Sequence, residues 1–392
     1  MLIMLSERLD PSAVGMSPAR LERVVKTFRH QQARGVFPGG QMAVYRGGEL
    51  VVNEAVGIAR GVRAEENEAP VPFTTDTRSC VFSAGKPLVG IAIAILEDRG
   101  LIDVNAPISR YWPEFAENGK EAVTVIDVLT HRSGLWLRDI ETDWQHFGDW
   151  DGIVARIAEA RPAFERGTLA YQPSAFGWVL GELVRRLSGK RIERFIEEDI
   201  LGPAGLGGLQ LGVPAGEIHR LARSYWLDTK PPSLGGEVLD EFESRQNSAE
   251  YLTAVLPGSG TVGTARALAS FYSWLVGGAR TPDGAPMIRA ATLSRYIDAQ
   301  TRGTDRTVRI PMVLGRGFAL GWFWPHPYGW WQTSHCYGHA GNFSTIAWAD
   351  PKTGCAIAIV TNGNRAPTKL VTRFAPIGSG IRAACIKPHA SH

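Results

Sequence analysis

The chain is poor in cysteine. Its four residues of that type (Cys80, Cys336, Cys355 and Cys385) are irregularly spaced along 392 positions, which excludes a disulfide framework and a Cys-x-x-Cys metal site and leaves buried thiols. It also lacks any block of like charge. The 42 basic and 39 acidic residues are interspersed and the formal net charge is +3, so neither nucleic acid nor an anionic membrane is expected as a partner. No hydrophobic run is long enough to span a bilayer. The opening residues Met1-Leu2-Ile3-Met4-Leu5-Ser6-Glu7-Arg8 lack the basic segment and small-residue cleavage site of an export signal, so a cytoplasmic location is expected. The nine histidines show no His-Glu-x-x-His or other paired ligand spacing, and no metal or cofactor is required. No Gly-x-Ser-x-Gly elbow surrounds Ser83, which disfavours an α/β-hydrolase. Nothing in the pattern speaks to oligomeric state.

What is present is the composition of a soluble globular protein, 44% hydrophobic and 21% charged, on a chain too long for one ordinary core. Residues 18 to 34 space Leu21, Val24, Val25 and Phe28 as a helix. Gln41 to Tyr45 and Glu49 to Val56 alternate as strands around Arg46-Gly47-Gly48, a hairpin signal. A middle region of helices and loops includes Ala122 to Thr130 and Ala175 to Leu187, with Gly134 and Gly189 suited to the positions where those helices stop. Thr229 to Ser248, with Pro231-Pro232 and Gly235-Gly236, reads as loop. The end returns to strands at Phe318 to Trp324, Ser344 to Ala349 and Cys355 to Thr361. Strands at both ends with helices between them predict an α+β fold: an antiparallel sheet flanked by helices, from about 1–110 plus 300–392, with a helical lobe inserted over about 111–299.

The chemistry centres on Ser83-Ala84-Gly85-Lys86, which opens an apolar stretch reading as a buried helix. Three-residue spacing puts Lys86 beside Ser83, burial lowers the amine pKa, and free N–H groups of the helix start face any oxyanion formed on Ser83. Ser-x-x-Lys alone is weak, and an N-cap serine followed by a solvated lysine is the bland alternative. Three further segments follow it: Leu129-Thr130-His131-Arg132-Ser133-Gly134-Leu135, Gly167-Thr168-Leu169-Ala170-Tyr171-Gln172-Pro173 and Gly338-His339-Ala340-Gly341-Asn342. In that order they resemble the superfamily of penicillin-binding proteins, class C β-lactamases and family VIII carboxylesterases, over roughly residues 10 to 385.

The resemblance implies a β-lactamase/transpeptidase-like fold with its site between the lobes. It also implies that Ser83 is the nucleophile, that Lys86 and Tyr171 manage the proton, and that the N–H groups of Ser83 and Asn342 form the oxyanion hole. His339, Ala340 and Gly341 are then the substrate-binding strand. His339 is expected to bond Tyr171 or, when protonated, to keep the cleft electropositive; Gly341 is expected to let substrate approach the backbone. His131 reads as support from behind. The aromatic segment 322 to 331 suggests Trp322 and Trp324 as an apolar wall over the cleft, against the alternative of loop packing.

Two motifs are read as decoys: Lys352-Thr353-Gly354, which falls in a hairpin turn, and Gly258-Ser259-Gly260-Thr261-Val262-Gly263, which lacks the βαβ setting of a dinucleotide site and reads as a loop near the cleft. The chain departs from the β-lactamase pattern where Tyr171-Gln172-Pro173 replaces Tyr-x-Asn and His339-Ala340-Gly341 replaces Lys-Thr-Gly. The expectation is therefore a serine carboxylesterase acting on short- to medium-chain esters. β-Lactamase, D-alanyl-D-alanine peptidase and acyltransferase are the alternatives of the same class, and a non-catalytic binding protein the alternative of another.

Overall fold

The computed structural model describes residues 9–230, 241–323 and 325–386, with the backbone of 233–234 and 237–238. Alternating residues early in the chain build an antiparallel hairpin of β1 (Gly39–Arg46) and β2 (Glu49–Arg60). Its turn holds Gly47 and Gly48, both at positive φ, the backbone that a tight hairpin demands and that glycine adopts without strain. β3 (Val71–Pro72) pairs with β2. Six strands come from the other end: β4 (Thr301–Thr304), β5 (Pro311–Leu314), β6 (Ala319–Leu320), β7 (Tyr337–Gly341), β8 (Thr345–Asp350) and β9 (Cys355–Thr361). The nine form one antiparallel sheet in the order β4-β5-β6-β7-β8-β9-β1-β2-β3, closed in the middle by β9 against β1, with Gln41 opposite Val360.

Period-two alternation sorts the faces of that sheet. Met42, Val44, Ile357 and Ile359 meet helices α1 (Pro18–Ala33) and, from the end of the chain, Leu370–Ala384. Ala43, Ala356, Ala358 and Val360 face the other way, small enough for the helix Ala265–Val276 to lie close across β1, β8 and β9. That helix sits inside the stretch expected for the helical lobe, yet it packs on the sheet. We number the remaining long helices α2 (Lys86–Asp98), α3 (Ala175–Ser188), α4 (Ala265–Val276) and α5 (Leu370–Ala384).

Other local expectations need adjustment. The helix expected over 122 to 130 shortens to Val125–Leu129. Gly134 therefore lies beyond its end, where a left-handed backbone fits against the Phe164 carbonyl. Gly189 does cap α3 in the left-handed region. The strand expected over 318 to 324 is only Ala319–Leu320. Pro231-Pro232 and Gly235-Gly236 lie outside the described residues. Among those described, no helix is long and apolar enough to cross a membrane.

Candidate active site

A small sheet delivers Ser83 to the site. Ser79–Cys80 pairs with Thr261–Gly263, and Val81 N–H donates to the Thr261 carbonyl at 2.8 Å. The chain then enters a 3₁₀ turn, Phe82–Gly85, that runs into α2. A 3₁₀ turn has three residues per revolution, so side chains three apart eclipse, and this places Lys86 Nζ 3.1 Å from Ser83 Oγ. Phe82 sits at φ +51, an uncommon conformation for a bulky residue and a mark of local strain immediately before the serine. Gly85 permits the turn to press on Thr261, whose side chain would overlap any Cβ placed there.

Lys86 is fully buried. Its Nζ donates to the Pro173 carbonyl at 2.7 Å and to the Gly258 carbonyl at 2.6 Å. An ammonium has three protons to place and no lone pair, whereas a neutral amine has two protons and one lone pair. Two carbonyls and one hydroxyl serve both forms: an ammonium donates to all three oxygens, and a neutral amine donates to the two carbonyls and accepts from the Ser83 hydroxyl. Burial pushes the pKa down to about 7, opposed by the field of Glu141. The glycine-rich stretch at 258 is thus a wall of the cleft: a Cβ at Gly258 would stand 2.7 Å from the Pro173 carbonyl and 3.5 Å from Lys86 Nζ.

Tyr171 completes the triad: it lines the same cavity as Ser83, its ring is centred 5.0 Å from Lys86 Nζ, and its hydroxyl interacts with Ser83. Its backbone N–H donates to Asp305 at 2.7 Å, and its ring lies 4.5 Å from that of His131. Burial raises the phenol pKa, opposed by the bond to Ser83, so at neutral pH the phenol keeps its proton. His131 Nδ1 accepts from Gln172 N–H at 3.1 Å, and the Gln172 side chain turns away to donate to Ser133 at 2.6 Å. His131 is held neutral by burial and by the nearby Lys86. Ser174 is occupied too: its N–H and hydroxyl each donate to Glu141 at 2.8 Å.

The ladder between β6 and β7 stops at Gly338, which leaves His339, Ala340 and Asn342 along the cavity. His339 Nδ1 stands 2.6 Å from the Ala340 carbonyl, so that nitrogen carries the proton, while buried Nε2 has no partner among the described residues. Burial, then the field of Lys86, pushes its pKa down to about 3. The imidazole is therefore neutral and supplies no positive charge to the cleft. Gly341 also answers a different need from the one expected: a Cβ there would run into the Val81 carbonyl, so glycine lets β7 meet the nucleophile turn. Asn342 and Phe343 follow at φ +47 and +58. Lys352-Thr353-Gly354 lies in the β8–β9 turn, where the Thr353 carbonyl accepts from Arg46 at 3.0 Å.

Ser83, Tyr171, Pro173, His339, Ala340 and Asn342 line one mostly apolar cavity of about 220 Å³. Its aromatic wall is made by Phe82, Trp136, Phe147, Phe242, Tyr251 and Phe343. Trp322 does not line it. That side chain packs against the core and edge-on to His326 at 5.9 Å, because residues 321 and 322 are tied down by the Cys336 carbonyl and Thr333. Trp324 lies outside the described residues. The charged members that sequence reasoning missed are Arg138, Glu141 and Arg245. They come from short helices, Arg138–Thr142 and Phe242–Gln246, with no motif to single them out.

With this geometry in hand, comparison with known proteins is specific. A model of the Beta-lactamase family matches residues 24–377. The chain is 30% identical over 384 residues to the esterase/β-lactamase LipL of Mycobacterium tuberculosis, covering 93% of this chain and 86% of LipL. It is 30% identical to esterase EstB of Burkholderia gladioli over 57% of this chain and 59% of EstB. Among solved structures, a penicillin-binding protein homologue from Caulobacter crescentus superposes with a TM-score of 0.81 at 31% identity, covering 94% and 99% of the two chains. A family VIII carboxylesterase gives 0.76 at 26% identity, covering 92% and 98%.

Proposed function

Because the chain belongs to the Beta-lactamase family, we propose that it is a serine carboxylesterase of that fold. The observation that carries the reading is the hydrogen-bond pattern of Lys86, with two carbonyl acceptors and the Ser83 hydroxyl around one buried nitrogen. That pattern fits a resting neutral amine, the base a serine needs to attack a carbonyl near pH 7. Between the two groups that can serve as base, Lys86 fits the role at rest and Tyr171, whose phenol is held protonated, fits the acid.

Lys86 takes the Ser83 proton as Oγ bonds to the ester carbonyl carbon. The oxyanion is held by the N–H groups of Ser83, in the 3₁₀ turn, and of Asn342, the residue that follows β7; a single such donor is typically worth about 10²–10³ in kcat. The ester C–O bond breaks, the alkoxide takes the Tyr171 proton, and the proton on Lys86 returns to Tyr171. Water then attacks the acyl-enzyme by the same groups in reverse and releases the acid.

Substrate class rests on the middle motif. Pro173 has no side-chain amide, its carbonyl is committed to Lys86, and the Ser174 hydroxyl is committed to Glu141. No side-chain amide stands there to hold the acylamino group of a β-lactam, whereas an apolar cavity of this size accepts short to medium acyl chains. LipL carries both activities in its name, so the test measures both. A series of p-nitrophenyl esters of graded acyl length is run beside a chromogenic cephalosporin, with Ser83→Ala as control. Ester turnover that Ser83→Ala abolishes, with cephalosporin kcat/KM lower by roughly three orders of magnitude or more, is the expected result. Comparable values for the two substrates would replace the esterase reading with a β-lactamase one.

A further inference from the structure

The turn that carries the Asn342 N–H is strained and is gripped from behind by a buried cation. Asn342 and Phe343 both have left-handed backbones, an unfavourable pairing for two residues with side chains. Arg373 projects from α5 beneath them, 4% exposed. Its guanidinium donates to the Phe343 carbonyl at 2.7 Å, to the Gly363 carbonyl at 3.4 Å and to Thr361 Oγ1 at 3.0 Å. Thr361 Oγ1 in turn donates to the Ser344 carbonyl at 2.7 Å. The clamp thus holds the carbonyls on both sides of residue 344, those of Phe343 and Ser344.

What makes this arrangement unusual is its charge. Every one of those acceptors is neutral, and Arg373 Nε is buried without a partner among the described residues. The charged groups near it are Arg365, which opposes its charge, and Asp228, which favours it. Asp228 is already engaged by the Arg365 guanidinium at 2.9 Å and by the Ala366 N–H at 2.6 Å. The rings of Phe374 and Phe37, centred 5.0 and 6.0 Å from the guanidinium carbon, give only partial compensation. Burial brings its pKa down to about 9, so the group is still a cation at neutral pH. Burying a charge without a counter-charge is costly, and a neutral side chain would serve a purely structural contact at lower cost. The three hydrogen bonds offset part of that cost, and negative charge developing beyond the Asn342–Phe343 turn, as in the acyl-transfer oxyanion at the Asn342 N–H, would offset more.

We propose that Arg373 is a positioning residue for ester hydrolysis, fixing the Asn342–Phe343 turn so that the Asn342 N–H faces the oxyanion and adding a preorganised positive field behind it. The inference rests on the esterase reading above. It predicts a loss confined to the transition state, because the ground-state carbonyl carries little charge.

The test compares wild type, Arg373→Lys and Arg373→Met on a p-nitrophenyl ester, each checked for an unaltered circular-dichroism spectrum and melting temperature. Arg373→Met should lower kcat about 10²-fold with KM within about threefold of wild type. Arg373→Lys keeps the charge while losing the forked contact, and should recover at least a tenth of wild-type kcat. A folded Arg373→Met enzyme with wild-type kcat, or a loss that appears in KM alone, overturns the proposal. Should Arg373→Met not fold, Thr361→Val removes one arm of the clamp without disturbing the charge, and an unchanged kcat there is equally contrary. Labelling of wild type by a fluorophosphonate, lost in Ser83→Ala, separates the two levels: no labelling refutes the esterase reading itself, whereas labelling with normal Arg373 variants refutes only this inference.

Discussion

Replacing Lys86 by methionine should change how stability depends on pH, and the size of the change follows from burial. In the unfolded chain a lysine titrates at about 10.4; in the folded protein burial lowers Lys86 to about 7. Between those values the unfolded state binds a proton that the folded state does not, so wild-type stability rises with pH across that window. From pH 7 to pH 9.5 the linkage amounts to about 3 kcal/mol, which is 2.303RT for each of roughly two units of effective titration. Methionine has nothing to titrate, so Lys86→Met should lack this rise, whatever it gains from removing a buried polar amine or loses by stranding the Pro173 and Gly258 carbonyls. Those two effects of the substitution are pH-independent to first order and cancel in the comparison. Urea unfolding of both proteins at pH 7.0, 8.0, 9.0 and 9.5 gives the difference directly. Parallel stability curves for the two proteins would show that the Lys86 amine is not depressed, and the assignment of a neutral base at pH 7 would fall with it.

Three further outcomes are expected. For wild type, kcat/KM should fall about tenfold per pH unit below pH 7, as the amine becomes protonated; Glu141 raises the Lys86 pKa, so Glu141→Gln should move that acid limb to lower pH, and a limb that stays in place or moves upward would rule out this coupling. Tyr171→Phe removes only the hydroxyl that bonds Ser83 and should cost about 10²-fold or more in kcat; near wild-type rates with an ester would leave Tyr171 a packing residue. Gly341→Ala places a Cβ against the Val81 carbonyl, so it should displace β7 from the nucleophile turn and lower both melting temperature and kcat. An alanine variant matching wild type in both measurements would show that the two backbones have room to spare.

Local signals in the chain reached some of these features and not others. The hairpin around Gly47-Gly48 was legible because glycine at two positive-φ positions is a backbone requirement, and α1 because Leu21, Val24, Val25 and Phe28 repeat at helical spacing. The pairing of β9 with β1 joins residues more than three hundred positions apart, and no local pattern encodes a contact of that range. At the site, Ser83, Lys86 and Tyr171 were named from short motifs. The 3₁₀ turn that eclipses Ser83 and Lys86, the carbonyls of Pro173 and Gly258 that hold the Lys86 nitrogen, and the burial that lowers its pKa are tertiary facts. The same holds for His339, whose residue type suggested a charge that burial removes.

Trp322 shows the limit most clearly. An aromatic-rich segment says that rings will be buried, and hydropathy gives no direction; the contacts with Thr333 and His326 turn this one into the core, away from the cavity. The wall that substrate would meet is assembled from Phe82, Trp136, Phe147 and Phe343, drawn from four separate segments. Glu141 and Arg373 had no motif at all, because their roles are set by what they face: the Ser174 N–H and hydroxyl in one case, the carbonyl of a strained turn in the other. The sequence by itself determined which groups can do chemistry, since that depends on residue type and short spacing. Protonation state, the direction of each side chain and the boundary of the cavity were decided only by the tertiary structure, because desolvation and orientation arise from neighbours that are distant along the chain.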